Sequence, residues 1–169
     1  MSRWGKAPDR VIWNEVECGD YSADLPLWEQ LALERGEPVL ELGCGAGRVV
    51  VHLARATGRL VIGLDNDDEA VAAVWDRASG GLEADAEIGD ARSFELAARF
   101  PLVIAPMQLI QLLPGRADRV CCFACVFEHL EQGGQAAFTV VEEVPSLPEG
   151  EAEPPIPDVR QVDGWVYSS

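Results

Sequence analysis

Short apolar runs alternate along the chain with segments of helical spacing, a pattern that predicts a parallel sheet covered by helices. Asp24-Leu25-Pro26 opens the first helix. Asp24 is placed to cap it, Pro26 suits its first turn, and Leu27, Leu31 and Ala32 supply an apolar face. Gly36 and Pro38 stop it. Val39 to Leu42 reads as a short buried strand, followed by glycines at 43, 45 and 47 and a helix from Arg48 to Ala56. Leu60 to Leu64 is a second buried strand ending at Asp65. Asp67 or Asp68 then caps a helix that turns Ala70, Val71, Val74 and Trp75 toward the core. Ala86 to Ile88 is a brief third strand ending at Gly89-Asp90, and Leu102 to Ala105 a fourth ending at Pro106. A helix over 117–130 and a fifth strand over 136–141 complete the alternation.

After Val141 the character changes. Residues 142–158 hold five prolines and six acids with no base, which predicts an extended connector rather than a packed element. Val159 to Tyr167 reads as one final strand, antiparallel and at the sheet edge. A length of 169 residues fits one domain, 1–169, with a lead-in and helix over 1–38 and the acidic connector and last strand over 142–169.

Charge narrows the partners. The formal charge is −16, and Lys6 is the single lysine. Such a body repels phosphate backbones and anionic lipid, so no nucleic acid and no membrane are expected as partners, and small molecules are favoured. The N-terminus lacks the apolar stretch of a secretory signal, and the longest apolar runs are strand-sized; both point to the cytoplasm. Five cysteines are an odd number, read as reduced thiols. Cys121, Cys125 and His129 fall on one helical face, but no second C-x-x-C completes a zinc site. They read as core, and no metal is expected.

Ligands of open parallel sheets bind at the carboxyl ends of the strands. Four consecutive strand ends here carry glycines or acids: Glu41 to Gly47, Asp65, Gly89-Asp90, and Ala105 to Gln108. Glycines 43, 45 and 47 let a ligand approach the backbone, and the next helix offers unpaired N–H donors. Asp65, about twenty residues on, is spaced to accept from ribose hydroxyls. Together these features indicate a nucleoside-containing cofactor.

Two details choose among cofactors. A dinucleotide fingerprint reads G-x-G-x-x-G, but Arg48 stands where its third glycine would fall. Glu41 would also repel a pyrophosphate. Glu41-Leu42-Gly43-Cys44-Gly45-Ala46-Gly47 instead resembles the E/D-x-G-x-G-x-G motif of the class I S-adenosylmethionine-dependent methyltransferases. The resemblance covers roughly residues 20–141 and makes 39–141 the cofactor-binding core. It implies that Glu41 faces the cationic methionine end of the cofactor, with Gly43, Cys44, Gly45 and Gly47 around it. It further implies that Asp65-Asn66 holds the ribose and that Asp90-Ala91 meets the adenine. Pro106 and Met107, in the segment 100–108, stand near the transferred methyl. Leu130 to Gly134 resembles the L-x-x-G-G turn before the family's fifth strand. Tyr21, in the segment 21–26, resembles the pocket-lining tyrosine of many small-molecule members.

The implied fold is α/β, a three-layer Rossmann-like sandwich with a mostly parallel sheet in the order 3-2-1-4-5. The family's last two strands are incomplete or absent, since residues 142–169 cannot supply them. The chain therefore looks shortened, with an open fifth-strand edge that a homodimer would cover. Ala105-Pro106-Met107-Gln108 departs from the N/D-P-P-Y/F pattern of enzymes that methylate nucleic-acid bases. The expected function is methyl transfer to an O, N or S of a small-molecule acceptor. A cofactor-binding relative without turnover, and less readily a nicotinamide-dependent oxidoreductase, are the alternatives. No general base is assigned, because His52 and His129 fall on helices away from the crevice.

Overall fold

The computed structural model describes residues 9–142, 158–162 and 164–168. The expected connector therefore lies mostly outside the described residues. Five parallel strands form the main sheet, in the order β3-β2-β1-β4-β5. They are β1 (Val39–Leu42), β2 (Val61–Asp65), β3 (Ala84–Ile88), β4 (Phe100–Ala105) and β5 (Leu130–Phe138). β1 is central and buried at every position, as a strand covered on both faces must be. Its alternation sends Val39 and Glu41 to one face, and Leu40 and Leu42 to the other.

The first face is covered by α2 (Leu25–Arg35), α3 (Arg48–Thr57) and α4 (Asp68–Ala78). Trp28, Val50, Leu53, Val71 and Val74 pack there against Val39, Val61 and Ile104. On the second face α5 (Leu109–Leu112) and α6 (Arg116–His129) bring Ile110, Cys122, Cys125 and Val126 onto Leu40, Leu42 and Val103. This is the three-layer sandwich expected from the sequence. No helix among the described residues is long and apolar enough to cross a membrane.

Several local expectations are corrected. Asp24 does not cap α2 with its side chain. Its carboxylate instead accepts a bidentate pair from Arg48, at 2.7 Å each, and a bond from Trp28 Nε1 at 2.9 Å. That anchor turns Trp28 inward, leaving Leu27 half exposed. Asp67 does cap α4, accepting from the amides of Glu69 and Ala70. Trp75 lies largely outside the core, its indole N–H donating to Asp85 and to the Ala86 carbonyl. β5 begins at Leu130 and ends at Phe138, earlier than expected, and its register on β4 shifts between Phe100 and Leu102. Gly133, at φ 82°, and Gly134, where a Cβ would lie 3.0 Å from the Phe100 carbonyl, permit that irregularity.

The C-terminus departs most from expectation. Val159 to Tyr167 is not one strand at the sheet edge. β6 (Val159–Val162) and β7 (Trp165–Ser168) form a separate two-stranded antiparallel sheet. The sequence Asp163-Gly164 separates the paired Val162 and Trp165, and Gly164 adopts φ 86°, which is hairpin chemistry. This hairpin packs on α1 (Asp9–Cys18), a helix the sequence reading did not anticipate. Among the described residues, β5 has no neighbour on its outer side.

Candidate functional site

The carboxyl ends of β1, β2, β3 and β4 open on one cavity of about 570 Å³. Gly43 and Gly45 contribute from the β1 loop, Asp65 and Asn66 from the end of β2, and Asp90 and Ala91 from beyond β3. Pro106 and Met107 close the β4 side. These residues, separated by more than sixty positions in sequence, meet because all four strands run in the same direction.

The glycine loop is a cradle that side chains would fill. Gly43 and Gly45 have φ of 65° and 50°. A Cβ on Gly43 would lie 2.8 Å from Leu109, and one on Gly45 2.9 Å from the Asn14 amide. Asp65 fixes the loop: one oxygen accepts from Gly45 N–H at 2.8 Å, the other from Asp67 N–H at 3.0 Å. Each oxygen keeps a second lone pair for a ligand hydroxyl.

Asp90 is held differently. Its carboxylate accepts from the backbone N–H, Nε and Nη2 of Arg92, and these bonds hold its pKa down at about 2. Arg92 also reaches Asp118 on α6 at 2.8 Å. The acid expected to meet adenine is thus gripped by a guanidinium that itself lines the cavity. At the β4 end, Met107 and Gln108 are the only non-glycine residues with positive φ among the described residues, at 53° and 65°. Gln108 N–H donates to the Thr139 hydroxyl, and the Gln111 amide pairs with the Val141 backbone on both sides. Backbone strain held in place by its surroundings is a recurrent feature of functional sites.

Four expected residues do not line the cavity. Tyr21 and Gly47 line a neighbouring cleft, where the Arg48 guanidinium sits 5.4 Å from the Tyr21 ring and bonds its carbonyl. Gly47 is drawn there as the first residue before α3, with Val74 packed where its Cβ would be. Cys44 turns into the core above Gly63, whose missing Cβ makes room for the sulfur. Burial pushes its thiol pKa up. Glu41 is buried on the α3 face of β1. Burial also drives its carboxyl well above the usual range, opposed in part by the Arg48 guanidinium and the Val50 N–H.

Glu41 Oε2 is a buried oxygen with no hydrogen-bond partner among the described residues, so the folded state holds a proton that the unfolded chain releases at ordinary carboxyl pH. The linked stability is present below the ordinary carboxyl value and is lost as pH rises through the raised one. Glu41→Gln is therefore expected to flatten the fall of Tm with pH above about 4.3, the ordinary Glu value. A calorimetric series from acid to neutral pH checks this, and an unchanged slope would assign the pH dependence to other groups.

The sequence reading missed α1, which contributes Asn14, Glu17 and Cys18 to the cavity. Its signal was present as buried Val11, Ile12 and Val16, one apolar stripe. Arg92 was also missed, since nothing in the sequence distinguishes it from other arginines. His129 is buried and satisfied on both nitrogens, its Nδ1 bonding the Cys125 carbonyl and its Nε2 accepting from Leu96 N–H. His52 pairs with Glu29. Cys122 and Cys125 are core, while Cys121, one turn before Cys125 on α6, is exposed and not the core residue expected. No metal-ligand cluster occurs among the described residues.

Residues 39–134 match the family described as Methyltransferase domain. No curated protein sequence matches the chain. Among solved structures, the sugar N-methyltransferase KedS8 from Streptoalloteichus superposes with a TM-score of 0.70 at 18% identity, over 98% of this chain and 66% of that one. DesVI from Streptomyces venezuelae gives 0.66 at 23% identity, over 92% and 64%. The glycopeptide N-methyltransferase MtfA in complex with S-adenosyl-L-methionine gives 0.60 at 25% identity, over 89% and 66%. The chain spans slightly less than two thirds of the length of each of these structures.

Proposed function

The chain belongs to the methyltransferase-domain family, whose cofactor is S-adenosylmethionine, and from that premise we propose that it methylates an O, N or S of a small-molecule acceptor. The observation that carries this reading is the convergence of the glycine loop, Asp65, Asp90-Ala91 and Pro106-Met107 on one cavity. Its volume of about 570 Å³ suits a nucleoside cofactor with space beside it.

Asp65 is assigned to the ribose hydroxyls, for which its carboxylate retains lone pairs. The Gly43–Gly45 backbone is assigned to the amino-acid end of the cofactor. Glu41 lies behind that end as a buried carboxyl whose proton is held by burial, and Tyr21, Cys44 and Gly47 shape the loop from behind. Asn66 borders the ribose, and Ala91 and the Asp90–Arg92 pair border the adenine. Pro106 and Met107 form the wall beside the reacting methyl. The cofactor supplies a methyl on a sulfonium, already a good leaving group. The protein's task is then proximity and orientation, and neither histidine is needed as a base.

The names of KedS8 and MtfA attach them to amines of sugars and glycopeptides. Amine acceptors are accordingly the first to test, by following S-adenosylhomocysteine release over a panel of amino sugars, hydroxylated metabolites and thiols. Turnover confined to one acceptor class would define the substrate; turnover only on oligonucleotides would contradict the small-molecule reading.

A second reading keeps the cofactor but not the chemistry, and β5, which has no neighbour on its outer side among the described residues, favours it. Phe123, Phe127 and Val120 lie exposed on α6 beside that edge, with Phe123 packed edge-on to Phe138 at 5.1 Å. Pairing of two chains through this edge is part of the proposal. Light scattering at micromolar concentration is expected to give twice the monomer mass. A stable monomer would remove the dimer from the account.

A further inference from the structure

Asn14, Glu17 and Cys18 occupy i, i+3 and i+4 of α1 and bring one face of that helix to the cofactor cavity. No strand ladder attaches α1 to the sheet. Side chains do: Asn14 Oδ1 accepts from Ala46 N–H at 3.2 Å, Arg10 pairs with Asp67 at 3.3 Å, and Glu15 with Arg77 at 2.5 Å. Arg77 in turn bonds the Ala46 carbonyl. These contacts end on the glycine loop or on α4 and its cap.

The other face of α1 packs on the C-terminal hairpin. Ile12 and Val16 join Val162, with Tyr167 against them, in an apolar cluster separate from both main cores. Trp13 meets Tyr167 edge-on, with ring centroids 5.4 Å apart. Arg160 reaches Asp20, just past the helix end, at 2.5 Å. A helix of ten residues is marginal alone in water, and so is an isolated two-stranded hairpin. Each therefore depends on the other.

We propose that the β6–β7 hairpin is a strap that holds α1 closed over the cofactor cavity. Val162 and Tyr167 then set cofactor affinity as positioning residues, although neither lines the cavity. This rests on the proposed cofactor reading. Its energetics are those of a closed state populated to a given fraction: apparent affinity falls in proportion as that fraction falls. Loosening the strap opens α1, withdraws Asn14 from the glycine loop, and leaves the five-stranded sheet intact.

The test uses the full chain carrying Val162→Asp, with Val162→Ile as the conservative control. S-adenosylhomocysteine affinity is measured by calorimetry, and backbone protection by hydrogen exchange without ligand. The strap predicts about tenfold weaker binding for Val162→Asp, with protection lost in α1 and kept in β1 and β4. Val162→Ile should match the parent in both measurements. Unchanged affinity with α1 deprotected would overturn the strap. So would joint loss of protection in α1, β1 and β4, because the hairpin would then belong to the global core. Failure of the unaltered chain to bind S-adenosylhomocysteine would overturn the cofactor reading instead, and the exchange pattern would still decide the strap.

Discussion

Gly45→Val is expected to abolish measurable S-adenosylmethionine binding while the five-stranded sheet stays folded. Gly45 adopts φ 50°, a region that β-branched residues avoid. A Cβ there would lie 2.9 and 3.0 Å from the two polar atoms of the Asn14 amide. Valine would push α1 off the loop, occupy ligand space and misdirect the N–H that Asp65 holds. The expected loss exceeds about a hundredfold, or about 2.7 kcal/mol. The β1 residues Val39 to Leu42 pair with β2 and β4 before the loop begins, so the sheet has no cause to open. Calorimetry paired with circular dichroism checks both halves. Undiminished binding by the folded variant would place the cofactor away from the loop.

Asp65→Ala should weaken the cofactor by roughly ten- to a hundredfold, about 1.5–3 kcal/mol, because it removes charged hydrogen bonds. The structure divides this loss in two. The carboxylate accepts from Gly45 and Asp67 amides as well as facing the cavity, so alanine also releases the loop. Asp65→Asn separates the contributions: its carbonyl oxygen preserves one backbone bond while the charge is lost. An affinity between those of the parent and the alanine variant is expected. If a folded alanine variant binds as the parent does, Asp65 has no place in the site.

The sheet was legible because its three inner strands, β1, β2 and β4, are short apolar runs, each ended by a glycine, acid or proline. The site was legible to the extent that it is made of strand ends. Asp65, Asn66, Asp90, Ala91, Pro106 and Met107 reach the cavity because a parallel sheet sends all its strand ends to one side. Glu41, Cys44 and Gly47 belong to the same loop, yet alternation along β1 and the turn into α3 direct them behind it. No pattern in the sequence distinguishes those directions. Asp24 presents the type of a helix cap and serves instead as an arginine partner, a choice decided by Arg48 twenty-four residues away. Val159 to Tyr167 alternates like a single strand, and the break falls at Gly164, whose positive φ turns the chain between the paired Val162 and Trp165. The hairpin's packing on α1 is a tertiary contact between the two ends of the described chain, which no local pattern encodes.

The cavity is expected to select a nucleoside sulfonium over a dinucleotide. A calorimetric titration of the full chain with S-adenosylmethionine, S-adenosylhomocysteine and NAD tests it most directly. The glycine loop and Asp65 predict saturable one-to-one binding of the first two, at micromolar dissociation constants, a binding free energy of about −8 kcal/mol, and no heat of binding with NAD. Saturable binding of NAD, with neither sulfonium nor thioether bound, would contradict the account.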